Sequence, residues 1–208
     1  MRVDLHVHTY EYSACGISTE REQIEMAITC GLDGIAFTEH GFQRAQSDLE
    51  RLNKKYAPFK IFTGVEVNVL DSYEDVLVIG VPDMTEYNNR PREYKSLWKY
   101  DKLYEFVRKK GGFIAIPHPF RFADEVKTNV FDFIPDALEL KSYNIDPSRE
   151  YLIEKFAKKL GVKTMVASDS HHKHVTGMHH LVMHNAVQTD ADLVRELLSG
   201  RYDHGALQ

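Results

Sequence analysis

The sequence is short of cysteine, of long apolar runs and of positive charge. Two cysteines, Cys15 and Cys30, in 208 residues provide no disulfide framework and are typical of a reducing compartment, so we expect a cytoplasmic protein. No apolar run approaches the length of a membrane span, and the N-terminus begins with acidic and histidine residues instead of a secretory signal. We therefore expect no membrane partner.

The charge balance is mildly acidic. The 26 basic and 31 acidic residues give a net charge of −5, which disfavours long duplex nucleic acid as a ligand. A phosphorylated substrate would need local cations or bound metal to offset this field. The length fits one domain, residues 1–208, with a sizeable core; the oligomeric state is not readable from the sequence.

Apolar runs alternate with helical patterns along the whole chain. Strands are expected at residues 2–6, 34–38, 61–70, 76–81, 113–116, 137–141, 163–167 and 184–187. Helices are expected at about 19–29, 44–55, 97–110, 147–160 and 190–198, and the first begins with a capping box at Thr19 and Glu22. A turn is expected at 71–74 and a loop at 82–95.

This alternation predicts an α/β fold with a parallel sheet, and about eight strands favour a closed or distorted barrel. In such barrels the active site lies at the carboxyl ends of the strands. Candidate metal ligands stand at or just beyond these ends, with one in the middle of a longer strand. They are His6, His8, His40, Glu66, His118, Asp169 and His171.

The most informative motif is the pair His6 and His8. Side chains two residues apart on a strand share a face, so both imidazoles can bind one divalent ion. Histidine pairs of this kind also arise by chance. The weight of this pair comes from the other candidates that accompany it.

Each of the other candidates has an ordinary structural alternative. His40 follows Glu39, which either hydrogen-bonds a ligand imidazole or faces solvent. Glu66 is a carboxylate in an apolar strand, where a salt bridge or two metal ions would supply the cation that it needs. His118 lies between two prolines, which restrict its backbone. Oxygen and nitrogen donors in this number favour Zn²⁺, Mn²⁺ or Fe over Ca²⁺.

Substrate contacts are less sharply indicated. Arg121 is suited to a forked contact with a phosphate, and Lys141 or Lys173 could assist it. His172 or His174 could protonate a leaving group, as could water. Most of the later histidines are expected on the surface.

These motifs, in this order, resemble those of the PHP family, named for its polymerase and histidinol-phosphatase members. Residues 4–9 (DLHVHT), 38–41 (TEHG), 118–119 (HP) and 168–171 (SDSH) match its four motifs, and 64–68 (GVEVN) resembles its bridging-glutamate segment. The resemblance implies a distorted (β/α)7 TIM-like barrel that hydrolyses phosphoesters at a cleft with two or three metal ions. It also implies that all seven candidates listed above are metal ligands.

Two ligands usual in that family are not evident. In residues 11–16 only Glu11 could supply the first, and Glu139 is the nearest candidate for the second. The number of ions therefore stays open between two and three.

The function that follows is hydrolysis of a small phosphomonoester, a nucleotide or a short oligonucleotide. Two divalent ions (Zn, Mn or Fe) about 3.5–4 Å apart would hold a bridging hydroxide and clamp the phosphoryl oxygens. An amidohydrolase is the alternative enzyme, disfavoured because no lysine stands in an equivalent apolar strand. An inactive metal-binding regulatory module is the non-enzymatic alternative.

Overall fold

A computed structural model describes residues 1–84 and 98–207. These residues form nine strands and five α-helices. The strands are β1 (Arg2–Val7), β2 (Gly34–Phe37), β3 (Lys60–Asn68), β4 (Asp75–Ile79), β5 (Phe113–Ile116), β6 (Ala137–Lys141), β7 (Lys163–Val166), β8 (His179–Met183) and β9 (Tyr202–Ala206). The helices are α1 (Glu20–Thr29), α2 (Gln46–Tyr56), α3 (Tyr100–Lys110), α4 (Glu150–Leu160) and α5 (Asp190–Ser199).

The nine strands belong to one mixed sheet with the order β7-β6-β5-β4-β3-β2-β1-β8-β9. β1 to β3 are parallel, as are β5 to β7, whereas β4 is antiparallel to both of its neighbours. Beyond β7, the Ser170 N–H donates to His6 O (3.0 Å), and the His8 N–H donates to Ser170 O (2.8 Å). The end of β1 thus meets the segment after β7, and the sheet is a nearly closed barrel.

The barrel-like α/β fold expected from the sequence is confirmed, but the sheet is parallel only in part. β3 and β4 are joined by the expected turn with no helix between them. Because a hairpin reverses the chain direction, β4 runs antiparallel to β3. The fold therefore departs from a regular repeat of strand and helix, and this hairpin places its own residues at the carboxyl end of the barrel.

The last two strands differ from the sequence prediction. The strand predicted at 184–187 is wrong: these residues form a loop, and β8 occupies His179–Met183. β8 pairs with β1 on one side and β9 on the other, so backbone pairing stabilises it although two histidines mask its apolar pattern. The pattern does not predict β9, because the sequence YDHGA lacks an apolar alternation.

The helices begin and end close to the predicted residues. Thr19 and Glu22 form the expected capping box, with each side chain accepting the backbone N–H of the other. The helix predicted at 147–160 begins with a 3₁₀ turn, Pro147–Arg149, before α4. α3 begins at Tyr100 instead of residue 97, and residues 85–97, which include most of the predicted loop, lie outside the described residues.

Two apolar clusters stabilise the barrel. The larger includes Leu77, Ile114 and Leu138 of the sheet, and the smaller packs Ile24 of α1 and Leu52 of α2 against β2. Each such side chain contributes about 1.5–3 kcal/mol when it is fully buried. Among the described residues, no helix has the length and apolar character needed to cross a bilayer.

Candidate metal centre

The structure brings together the seven side chains that the sequence suggests as metal ligands. They come from β1 and the residue just after it, from the loop after β2, from β3, from the loop after β5 and from the segment after β7. Ligand atoms within 4.8 Å of one another define four overlapping groups. The groups are His6, His8 and Asp169; His6, Glu66 and His118; His8, His40 and His171; and His40, Glu66 and Asp75.

Glu66 lies at the middle of this cluster and is fully buried. Its Oε1 is 3.1 Å from His118 Nε2 and 3.4 Å from His6 Nε2. Its Oε2 is 2.9 Å from His40 Nδ1 and 3.3 Å from His8 Nε2. Burial opposes ionisation of Glu66, but His40 and His6 outweigh it, so the pKa of the carboxyl lies well below its usual value. One ionised carboxylate therefore faces four imidazoles.

Asp169 is the second carboxylate of the cluster. Its Oδ1 lies 3.3 Å from His6 Nε2 and 3.4 Å from His8 Nε2, and its Oδ2 accepts a hydrogen bond from Asn144 Nδ2 (2.7 Å). Burial opposes its ionisation, but His6 and the other imidazoles outweigh burial and hold its pKa well below the usual range. Asp169 and His118 both have positive φ angles, 52° and 29°. Such backbone strain in non-glycine residues is typical of functional sites.

The tautomer of His6 is set by Glu139. Nδ1 of His6 lies 2.9 Å from Glu139 Oε1, and the other carboxylate oxygen accepts the His118 N–H (2.9 Å). Because a carboxylate oxygen accepts the hydrogen bond, Nδ1 carries the hydrogen, and the lone pair of Nε2 faces Glu66 and Asp169. Glu139, the nearest candidate for a missing ligand, is instead the residue that orients His6.

His8 is oriented through a longer chain of hydrogen bonds. The Ser13 hydroxyl donates to Glu39 Oε2 (2.7 Å), so its oxygen accepts from His8 Nδ1 (3.2 Å) and from the His40 N–H (3.2 Å). Glu39 also accepts from the backbone and the hydroxyl of Thr9. Neither alternative expected for Glu39 holds, because it is buried and is connected to the imidazole of His8 through Ser13.

The donor atoms at the middle of the cluster fit a divalent cation. The buried atoms that have no hydrogen-bond partner within the described residues include His6 Nε2, His8 Nε2, Glu66 Oε2 and Asp169 Oδ1. An imidazole lone pair repels the carboxylate oxygen that it faces unless a cation lies between the two atoms. Imidazole together with carboxylate is a donor set typical of Zn²⁺, Mn²⁺ or Fe. The same carboxylates act on the imidazole: burial lowers the pKa of His6, but Asp169, Glu66 and Glu139 together raise it well above its usual value.

Glu11 does not supply the ligand expected in the turn after the first motif. Its carboxylate accepts the Glu20 N–H (3.0 Å) at the start of α1. The same turn instead brings Cys15 to the cluster, where it lines a cavity together with His40 and His171. Burial opposes ionisation of this thiol, but the two imidazoles outweigh burial and lower its pKa to about 6. The sequence signal for Cys15 is its position in the turn where a ligand is missing.

Asp75 is a further residue that the sequence pattern does not reveal. The β3–β4 hairpin places it beside His40 and Glu66, and Asn68 Nδ2 donates to its Oδ1 (2.9 Å). Burial and the negative charge of Glu66 raise its pKa. Because β4 runs antiparallel, its first residue lies at the carboxyl end of the parallel strands, and a parallel sheet would place it at the other end.

Two neighbouring cavities open beside the cluster. One, of about 310 Å³, is lined by Cys15, His40, Asp169 and His171, and the other, of about 220 Å³, extends along residues 116–123. Both cavities are lined by Asp75, His118 and Arg121. Arg121 thus stands beside the cluster, and its expected contact with a phosphate stays a prediction.

The other expected substrate residues do not line these two cavities. The ammonium groups of Lys141 and Lys173 each bind a carboxylate at 2.8 Å, from Glu150 and Glu22. His172 and His174 stack on each other, with ring centroids 4.7 Å apart. The roles suggested for these four residues stay predictions.

The chain matches a known family profile. The profile described as PHP domain matches residues 4–206. No curated protein matches the chain.

Three solved structures resemble the chain at low sequence identity. PsfC from Pseudomonas syringae has a TM-score of 0.68 and 16% identity, over 99% of this chain and 91% of that one. A two-domain Bacteroides vulgatus protein, described as containing a predicted PHP-like metal-dependent phosphoesterase, has a TM-score of 0.75 and 15% identity, over 100% of this chain and 65% of that one. A Chromobacterium violaceum amidohydrolase with bound sulfate has a TM-score of 0.64 and 15% identity, over 97% of each chain. These likenesses establish the fold.

Proposed function

Because the chain belongs to the PHP domain family, we propose that it is a metal-dependent phosphoesterase acting on a small phosphomonoester, a nucleotide or a short oligonucleotide. Family membership supports the coarser assignment of a metal-dependent hydrolase. The observation that carries the proposal is the position of Glu66, whose two oxygens face separate pairs of imidazoles. A carboxylate in this position can serve two metal ions at once.

The donors divide into two sets that share Glu66. His6 and His118 lie on the side of Oε1, and His8 and His40 lie on the side of Oε2. Metal ions bound there would activate a water molecule and neutralise the negative charge on a phosphoryl group. The protein holds His6 and His8 with fixed tautomers and His118 on a strained backbone, so little reorganisation is needed on binding.

The cavity beside the centre supports a small anionic substrate. A volume of about 310 Å³ is at the lower end of the range of small-molecule sites and does not accommodate a nucleic-acid duplex. The guanidinium of Arg121 lines this cavity and can bind two phosphate oxygens. A local cation is needed because the net charge of −5 repels a phosphorylated substrate. The sulfate in the Chromobacterium violaceum structure is a tetrahedral anion of similar shape, which supports an anion site in this fold.

The cluster favours a phosphoesterase over the amidohydrolase alternative. That alternative needs a lysine between the metal ions, and within the described ranges no lysine adjoins Glu66. Lys141, at the end of β6, is bound to Glu150 instead. The carboxylates that face the imidazoles provide negative charge that can balance two cations.

The proposal is tested by phosphate release. Chain reconstituted with Mn²⁺ or Zn²⁺ is assayed on phosphomonoesters, mononucleotides and short oligonucleotides, together with Asp169→Asn. Asp203→Asn is the matched control, because Asp203 lies on exposed β9 and pairs with His184. We expect turnover that chelator and Asp169→Asn abolish and Asp203→Asn preserves. Turnover insensitive to Asp169→Asn, or none on any phosphoester with metal bound, would overturn the proposal.

A further inference from the structure

Two exposed aromatic side chains lie beside the metal centre. Tyr73 is 72% exposed and Phe122 is 84% exposed, and both line the two cavities that open next to the cluster. Single aromatic residues on a protein surface are ordinary, but two at the wall of one cavity provide the apolar area that a ligand can cover. The pair therefore calls for a binding role.

The backbone holds Tyr73 in a conformation that is unusual for a bulky residue. Its φ angle is 59°, in the left-handed region where glycine or asparagine is ordinary. The Tyr73 N–H donates to Val69 O (2.8 Å), and Asn68 Nδ2 donates to Tyr73 O (2.9 Å). A tyrosine is thus fixed on both sides at a turn position where its backbone costs stability.

The hairpin turn that carries Tyr73 is bound to the loop that carries Phe122. The hydroxyl groups of Ser72 and Thr128 are hydrogen-bonded (2.7 Å), and the Glu74 carboxylate accepts the Thr128 N–H (2.7 Å). Both sequence neighbours of Tyr73 therefore contact this loop. The positions of the two aromatic residues are fixed relative to each other.

The loop after β5 presents Phe122 next to the expected phosphate contact. Phe120 is buried and packs against Phe156, with ring centroids 5.4 Å apart, and this contact anchors the loop. The guanidinium carbon of Arg121 lies 5.0 Å from the centroid of the Phe122 ring, a cation–π distance. A phosphate bound by Arg121 would therefore have the Phe122 ring beside it.

The smaller cavity has room for the group that the phosphate carries. Its volume of about 220 Å³ is below the usual range of small-molecule sites, so it extends the larger cavity instead of forming a site of its own. Pro117 and Pro119 add apolar surface to its wall. An apolar pocket that adjoins a polar metal centre suits a substrate with one anionic and one apolar end.

We propose that Tyr73 and Phe122 bind the leaving group of the substrate by stacking on a planar aromatic ring, so that the site prefers phosphate esters carrying such a ring to aliphatic ones. The inference rests on the proposed function, because it concerns the group esterified to the phosphate. Stacking recognises any flat π-face and not one pattern of hydrogen bonds. The ring belongs either to a nucleoside or to a smaller aryl alcohol.

The test compares substrates that differ only in the ring. AMP and ribose 5-phosphate share one leaving hydroxyl and differ in the base, and benzyl phosphate and cyclohexylmethyl phosphate are both esters of primary alcohols. The kcat/KM of each is measured with enzyme loaded with Mn²⁺ or Zn²⁺, for the parent, Tyr73→Ala, Phe122→Ala and Tyr73→Phe. Tyr151→Ala is the matched control, because Tyr151 is 73% exposed on α4 and lines neither cavity.

We expect the parent to prefer the aromatic member of at least one pair by about tenfold or more, and the responding pair identifies the source of the ring. Each alanine variant should lower this ratio by about fivefold or more, mainly through KM, whereas Tyr73→Phe and Tyr151→Ala should preserve it. Weaker support for Arg121 in Phe122→Ala would affect both members of a pair equally, so the ratio reports the ring. No preference in either pair, or a preference that both alanine variants retain, would overturn the inference.

Binding without turnover separates this inference from the phosphoesterase proposal. Benzylphosphonate and cyclohexylmethylphosphonate have a P–C bond that phosphoester hydrolysis does not cleave, and calorimetry with Zn²⁺-loaded protein measures their affinities. Benzylphosphonate should bind more tightly by about fivefold or more, and Tyr73→Ala, shown to be folded by its melting curve, should remove the difference. Equal affinities in the parent, or no binding of either compound, would contradict the inference even if phosphoesters are hydrolysed.

Discussion

The carboxylate of Glu139 lies 2.9 Å from Nδ1 of His6, and neither side chain is exposed to solvent. Its second oxygen accepts the backbone N–H of His118, so one residue of β6 positions donors from β1 and from the loop after β5. Glu139 thus acts on the metal centre through the residues that it holds.

Glu139→Gln should weaken metal binding by about 10- to 100-fold, the usual cost of losing a hydrogen-bond partner behind a ligand. An amide has one accepting oxygen, so it cannot serve both His6 and His118. Competition with a chelating dye measures the affinity. Glu105→Gln, on the exposed side of α3, is the control. Unchanged affinity in a folded Glu139→Gln protein would show that Glu139 has no positioning role.

A second prediction concerns the buried pair of Arg44 and Glu39, which are 3.0 Å apart. Arg44→Met leaves Glu39 buried without its cation, which should lower the free energy of unfolding by about 3–5 kcal/mol. Urea unfolding measures this loss. Arg51→Met is the control, because Arg51 is 55% exposed and its pair with Asp48 is worth about 0–1 kcal/mol. Equal stability of the two variants would contradict the prediction.

The sequence reveals the ligands because they follow local rules. Alternation along β1 puts His6 and His8 on one face, and the carboxyl ends of parallel strands meet at one edge, so residues far apart in the chain converge. Such arguments need only the identity and direction of each strand.

The sequence cannot reveal what depends on pairing between distant segments. Ser13 meets Glu39 only when the loops after β1 and β2 come together, and Asp75 reaches the centre only because β4 is antiparallel. The same limit applies to β9, whose polar residues form a strand because β8 supplies backbone partners.

A third prediction concerns pH. Burial disfavours a proton on His40, but Glu66 and its other partners outweigh burial and raise the pKa to about 10 in the metal-free chain. The pKa of His6 shifts in the same direction, so the surrounding carboxylates favour a proton on both imidazoles. The proton on His40 adds to the free energy of unfolding of the metal-free chain, and this contribution is complete below pH 6.5. It is lost as the pH rises toward about 10, the raised pKa of His40.

Metal binding must expel these protons, so the affinity should rise with pH and fall on acidification. Calorimetric titration with Zn²⁺ in two buffers of different ionisation enthalpy should show release of at least one proton per ion at pH 7. His180→Gln is the control, because His180 lies on β8 and bonds to Gly177 O instead of a cluster residue. Heats that do not depend on the buffer would contradict the raised pKa values.

A final prediction separates Arg121 from the other cations expected to bind substrate. Arg121 lines the cavity beside His118, whereas the ammonium of Lys141 is bound to Glu150. Hydrogen bonds to a charged partner contribute about 1.5–3 kcal/mol, so Arg121→Met should raise KM for the phosphorylated substrate by about 10- to 100-fold with unchanged Zn²⁺ affinity. The KM of Arg121→Lys should fall between those of the parent and of Arg121→Met, because an ammonium keeps the charge but loses the forked contact. Lys141→Met, the matched control, should leave KM within about twofold of the parent. If Lys141→Met raised KM more than Arg121→Met did, the phosphate would lie nearer β6, and the assignment of Arg121 would be wrong.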